Sequence, residues 1–325
     1  MWARIGLSQW GKAFRVSAGV LALSALAACD LVQSQSNPAP QARPAGLTDP
    51  AAPAEPSNES IALRRYYARV QNDMLVRGLL RQDGGGPDTP FTADDLARNF
   101  ERIAFYDEYV RGAGLSRGGD TQSGLRRWRG PVRMAAVFGD SVPAERRARD
   151  VAEVQGYAAR LARITGHPIA YSTENPNFYV FFLSEDDRPA ALSQIQQIVP
   201  GISDMSLSIF RDIPRSIHCL VAAFSESGND QNYTTAIALV RDEHPDLLRR
   251  SCVHEELAQG LGLANDSPQA RPSIFNDDDE FALLTSQDEL LLRMLYDPRL
   301  TQGMSAAEAA PVARIIAREL MGEEL

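Results

Sequence analysis

The chain has 325 residues, with 33 Lys and Arg against 42 Asp and Glu and a formal charge of −9. A chain this acidic is a poor partner for nucleic acid, because phosphate binding depends on clustered Lys and Arg. Its length allows one globular domain of ordinary size with appendages. Arg4, Lys12 and Arg15 precede an apolar run from Val16 to Ala28. That run is too short to span a bilayer, and with its basic flank it predicts an export signal over residues 1–28. Removing it takes away three positive charges and no negative one, so the formal charge moves from −9 to −12.

The signal closes on Leu26-Ala27-Ala28-Cys29, which resembles the bacterial lipobox. The resemblance implies that Cys29 is lipidated and becomes the new N-terminus, with acyl chains that anchor stably. The protein is then expected to be tethered to the membrane through Cys29 and to face the periplasm. An ordinary secretory signal with a chance cysteine is the alternative, and the choice between inner and outer membrane stays open after Asp30. No later stretch is long and apolar enough for a transmembrane helix.

Residues 29–57 are rich in Ala, Pro, Gln and Ser, with six prolines between Pro38 and Pro56. Such a composition cannot bury a core and predicts a disordered, extended tether. A helical N-terminal region is expected over 58–129. Ile61, Tyr67, Val70, Met74 and Leu79 follow a helical period across 58–82, stopped by Gly84-Gly85-Gly86-Pro87. Thr92 with Asp95 predicts the cap of a second helix over about 93–110. Arg126, Arg127 and Arg129 form the one dense basic patch and read as a solvated turn.

From about residue 130 strands and helices interleave, which predicts an α+β domain, α/β-like in its first part, reaching to 325. Strands are expected at 132–138, 178–183, 219–224 and 235–240, and helices at 144–164 and 189–199. A further helix opens at Pro245 and ends at Gly262. Cys219 and Cys252 either bridge, as pairs do in an oxidising compartment, or remain two thiols; spacing alone does not decide. His167, His218 and His244 read as structural. The run Asp277-Asp278-Asp279-Glu280 lacks the spacing of a calcium loop and reads as solvated.

The chemistry concentrates in Glu255-Glu256-Leu257-Ala258-Gln259-Gly260-Leu261-Gly262-Leu263-Ala264-Asn265-Asp266. Oxygen-bearing side chains at i and i+4 lie on one helix face. This stretch resembles the metzincin zinc helix, HExxHxxGxxH, without its histidines. A register starting at His254 fails, because Ala258 and Leu261 would fall on the second ligand and the glycine. Shifted by one, Glu255, Gln259 and Asn265 take the metal-ligand places, Glu256 the general base and Gly262 the turn, while His254 points aside. Ser273-Ile274-Phe275-Asn276 then resembles the matrixin Met-turn, with Phe275 for the methionine. Thr285-Ser286-Gln287-Asp288 through Leu295-Tyr296 resembles the closing segment. The chain also resembles an uncharacterised proteobacterial lipoprotein family of unknown function.

The resemblance implies a zincin-like fold, with a mixed sheet and long helices. Zinc is not expected, since it prefers imidazole or thiolate; oxygen ligands suit a divalent cation such as Ca²⁺, Mg²⁺ or Mn²⁺. Three functions follow. The first is a divergent, inactive peptidase domain that binds a peptide or envelope partner. The second is an active metal-dependent hydrolase with Glu256 as base. The third is a metal-free site in which Glu256 and Asp266 work as an acid/base pair.

Overall fold

The computed structural model describes residues 55–109, 115–116, 121–225 and 230–323. The export signal, Cys29 and nearly all of the 29–57 tether lie outside the described residues. From Ala52 onward the chain forms one unit. Among the described residues no helix is long and apolar enough to cross a membrane.

The architecture is mixed α+β, as the interleaved pattern predicts. Six strands form one sheet: β1 (Arg127–Trp128), β2 (Val132–Phe138), β3 (Ile169–Tyr171), β4 (Phe178–Leu183), β5 (Cys219–Ser225) and β6 (Asn232–Arg241). The order is β1-β6-β4-β2-β3, all parallel, with β5 antiparallel along β6. Central strands of a sheet covered on both faces read as continuous apolar runs. The run Phe178-Tyr179-Val180-Phe181-Phe182-Leu183 sits accordingly between β2 and β6.

Alternation splits the side chains between two cores. Met134, Phe178, Val180, Phe182, Ala238 and Val240 face a core shared with α2 (Ala93–Ala104), α3 (Ala144–Thr165), α6 (Asp246–Gln259), α7 (Ser286–Leu295) and α8 (Ala306–Met321). Phe181, Leu183, Leu220, Ile237 and Leu239 face α4 (Arg188–Ile198) and α5 (Asp204–Arg211) on the other side.

Several element ends differ from the sequence prediction, each for a local reason. The first helix, α1 (Asn58–Val76), stops six residues short of 82, because Gly78 turns left-handed with φ +78°. Leu79 and Leu80 keep the apolar period but pack beside Met74 and Ala282 rather than extend the helix. Helix α2 has the expected Thr92/Asp95 capping box and ends at Ala104 rather than near 110. Beyond it Tyr106 pairs with Gln122, and Asp107 is buried against the Arg126 guanidinium.

Arg126 and Arg127 are therefore not a solvated turn. Arg127 belongs to β1, and its guanidinium donates to the carbonyls of Leu295 and Leu300. Both are consumed in joining β1 to its neighbours, so no basic patch survives there. Strand β3 and helix α5 are further elements that the apolar period alone does not reveal, being short.

Helix α6 ends at Gln259 with Gly260 as its cap, earlier than Gly262. Gly262 instead makes the reversal: its φ is +132°, and a Cβ there would lie 2.3 Å from the Arg126 carbonyl oxygen. Only glycine satisfies both demands.

The loop after α6 is fixed to α7 by one carboxylate. Asp288 accepts from Ser273 Oγ at 2.5 Å, from the Ile274 amide at 3.0 Å, and from Thr285 N and Oγ1 at 2.9 and 2.8 Å. Burial pushes its carboxyl up, and these bonds pull it back toward the charged form. Truncation leaves two backbone amides and the Ser273 hydroxyl short of an acceptor in a dry interior, while Thr285 Oγ1 keeps the Pro272 carbonyl. Asp288→Ala should therefore lower unfolding stability by about 3 kcal/mol in urea denaturation. A loss below about 1 kcal/mol would contradict this account.

Candidate functional site

A cavity of about 700 Å³ opens between β5, the last turn of α6 and the loops that follow it. Its floor is built by helix geometry. Glu255 and Gln259, four residues apart, lie on one face of α6, and Glu256 lies next to them. All three line the cavity, with Asp266 beyond the Gly262 reversal. Cys219 of β5 and Cys252 of α6 are joined by a disulfide with 5.8 Å between their Cα atoms. The bridge clamps the strand to the helix.

Cys219 Sγ and carboxylate oxygens of Glu255 and Glu256 all lie within 4.8 Å of one another, a grouping able to hold a metal ion. The sulfur is committed to the disulfide and offers no thiolate, so oxygen donors remain. Glu256 is 4 % exposed, and its Oε2 has no hydrogen-bond partner. Burial pushes the Glu256 carboxyl well above the ordinary range, with the charges of Glu108 and Asp266 acting in the same direction. Glu255 is raised likewise, first by burial, then by Glu256, Asp266, Glu108 and Asp279. Both occupy the C-terminal turn of α6, where the helix dipole is itself negative.

The predicted ligand residues divide. Gln259 Nε2 donates to Asp266 Oδ1 at 3.3 Å, so these two meet within the cleft. Asn265 does not join them: its Nδ2 donates to the Arg102 carbonyl at 3.0 Å, and it lies outside the cavity wall. The metzincin spacing carried past the Gly262 turn therefore places the third group one residue early. Asp266 is the oxygen group that faces Glu255 and Gln259.

His254 points away, as the helix period implies. Its Nδ1 accepts from the Leu284 amide at 3.0 Å, which leaves Nε2–H to donate to Glu153 at 3.2 Å, and the ring stacks on Tyr157. Phe275 is fully buried in the larger core, while Ile274 and Asn276 on either side reach the cavity. The Phe275 amide donates to Ser273 Oγ at 3.0 Å. His167 meets the Gly130 carbonyl at 2.8 Å, and buried His244 approaches Cys252 Sγ at 3.7 Å.

Two acidic residues of the cleft have no signal in the sequence. Glu108 arrives from the segment after α2. Asp279 comes from the acidic run, which reads as solvated but is only partly so: Asp279 is half-buried and pushed up to about 6 by burial and by Asp278 and Asp277. Glu280 of the same run pairs with Arg81 and Arg271.

Does this arrangement suit zinc? Gln259 donates its N–H to Asp266 and keeps only a neutral amide oxygen to offer, Asn265 faces Arg102, and the sulfur is oxidised. What remains is carboxylate and amide oxygen, which is a weak set for zinc. The donors at the three resemblance-derived positions do not make a zinc site.

The chain matches the family model described as "Protein of unknown function (DUF2927)" over residues 93–315. It belongs to that family. The matched segment holds α2, the whole sheet and every cleft residue described above. No curated protein and no solved structure matches the chain significantly.

A built-in zinc site tests where the oxygen groups converge. The variant combining Glu255→His, Gln259→His and Asp266→His should carry stoichiometric zinc through gel filtration, measured by elemental analysis. Replacing Asp266→His by Asn265→His in the same background should not. Equal zinc in the two triple variants would show that Asn265 reaches the cleft after all.

Proposed function

We propose that this is a divergent metzincin-like peptidase fold on a lipid-anchored periplasmic protein, and that its cleft binds an extended peptide or envelope-protein segment along β5. The observation that carries the reading is the position of β5. Among the described residues it pairs only with β6, and the cavity runs along it, lined by Cys219 through Ser225. A sheet edge of this kind offers main-chain donors and acceptors to an added strand.

Further support comes from the residues that shape the cleft. The Gly262 reversal, the Ser273–Asp288 clasp and the Tyr296 hydroxyl, which donates to the Leu261 carbonyl at 3.2 Å, are made by residues of the stretch that carries the metzincin resemblance. The Cys219–Cys252 bridge accords with an oxidising compartment. The acidic floor favours a segment that carries Lys or Arg, through charge complementarity.

Glu256 takes the general-base place, and it decides between a binding module and an enzyme. The experiment presents short Lys/Arg-containing peptides to the protein and follows amide hydrogen exchange. Val221 to Phe224 should exchange more slowly with peptide bound. If the same peptides are cleaved, Glu256→Gln should lower turnover by at least about 100-fold while binding persists. Peptides that leave β5 exchange unchanged would refute strand addition, and cleavage untouched by Glu256→Gln would remove that residue from catalysis.

A further inference from the structure

A second cavity, of about 450 Å³, shares no wall residue with the acidic cleft. One face of α1, the first residue of α4 and the last residue of β6 line it. It opens beyond the carboxyl ends of the parallel strands β4 and β6, where open α/β sheets commonly hold ligands. Its charge is opposite to that of the cleft. Arg69, Arg188, Arg215 and Arg241 line it together with Glu59 and Glu185, a formal balance of 4 − 2 = +2. Glu243 and Asp212 also act on Arg188. Burial pushes the Glu243 carboxyl up, and Asp212 pairs with Arg211.

Arginines around a hollow carry no argument by themselves, since water can serve them. The decisive group is Arg188. It is 8 % exposed and pairs with Glu185, yet its Nε and Nη1 are buried without an acceptor among the described residues. Buried Arg241 is fixed by the carbonyls of Ile213 and Pro214, at 2.8 and 3.1 Å. It also meets Glu185 at 3.4 Å, so one carboxylate serves two guanidinium groups. Burial and then the Arg241 charge disfavour the Arg188 cation. A buried N–H of a guanidinium left without an acceptor is destabilising, and an anion that meets it removes that penalty. Helix α4 begins at Arg188, so the positive end of its dipole acts at the same place.

We propose that this cavity binds the phosphate group of a small phosphate monoester, with Arg188 and Arg241 as its principal partners. Guanidinium donors match phosphate oxygens in geometry, and a dianion matches an excess of two positive charges. A small turn of the Arg188 side chain brings its unpaired N–H groups onto those oxygens. Arg69 and Arg215, both exposed, add charge from the solvent side. The volume is that of a pocket for a small organic molecule rather than for a bare ion. Leu63, Tyr66 and Ile213 supply wall for the organic part. The ester is a soluble compound or the headgroup of a phosphatidic acid, and the recognised chemistry is the same. This inference goes beyond the peptide reading and does not depend on it, because the two cavities are separate.

The test uses the full-length protein in phosphate-free buffer, followed by calorimetry and thermal unfolding. The probes are inorganic phosphate, glycerol 3-phosphate and dihexanoyl phosphatidic acid below its micelle concentration, each titrated alone. At about ten times Kd a bound probe should raise Tm by roughly 3–6 °C, which KCl of equal ionic strength should not do. A response to glycerol 3-phosphate assigns a soluble ester, and a response to the lipid alone assigns a headgroup. Arg188→Gln should weaken binding at least about tenfold. Arg215→Gln, at an exposed position, should weaken it by a smaller factor, and serves if Arg188→Gln folds poorly. Arg163→Gln, exposed on α3, should bind as wild type does. No response to any phosphate probe overturns the proposal, as does a response unchanged in both Arg188→Gln and Arg215→Gln. A response to inorganic phosphate alone overturns the ester, and succinate binding as tightly as glycerol 3-phosphate overturns the choice of phosphate.

Discussion

The Cys219–Cys252 bridge joins the edge strand of the sheet to the helix that carries the acidic residues, and the cleft is the space those two elements leave between them. The polar bonds of Arg249, Arg250 and His254 hold α6 to its other neighbours, and without the covalent tie the edge strand could slide against it by a fraction of a turn. A shift of that size would carry Glu255 and Gln259 off the cavity face. The bridge also reaches 33 residues along the chain, spanning β6, so closing it removes a large set of unfolded conformations. Stability and site geometry therefore rest on the same bond.

That rigidity matters because the floor is intrinsically unfavourable. Two neighbouring glutamates share the last turn of a helix whose own dipole opposes them, with Asp266 and Glu108 nearby. A softer structure would relieve the repulsion by swinging the side chains into water. Here His254 anchors α6 to Leu284 and Glu153, and Gly262 packs against the Arg126 carbonyl. The carboxyls are held inward by contacts made elsewhere, as at sites where local strain is kept by the surrounding fold.

Much of the fold is legible in the sequence, since its long elements advertise themselves by period. The apolar runs 178–183 and 235–240 and the Thr92/Asp95 cap each have a direct structural counterpart. Misreadings arise where packing overrides pattern. Leu79 and Leu80 continue a helical period after Gly78 has ended the helix, and Arg127 looks like surface until β1 places it against Leu295 and Leu300. The candidate site is legible only in part. Spacing within α6 predicts that Glu255 and Gln259 share a face, but not that Asp266 rather than Asn265 follows them around Gly262. Burial of Glu256 has no signature in spacing, and Glu108 reaches the cleft by tertiary folding alone.

The outer edge of β5, unpaired among the described residues, has a consequence for the protein's behaviour in crowded solution. An edge that accepts a peptide strand will as readily accept the same edge from a second copy, and natural sheets guard against such pairing. β5 itself carries no charged residue that would serve as a guard: its sequence is Cys-Leu-Val-Ala-Ala-Phe-Ser. Protection falls instead to the acidity of the whole chain, whose formal charge is −9. Two copies of like sign repel at any approach, edge to edge included. That colloidal safeguard weakens when salt screens the charge or acid removes it.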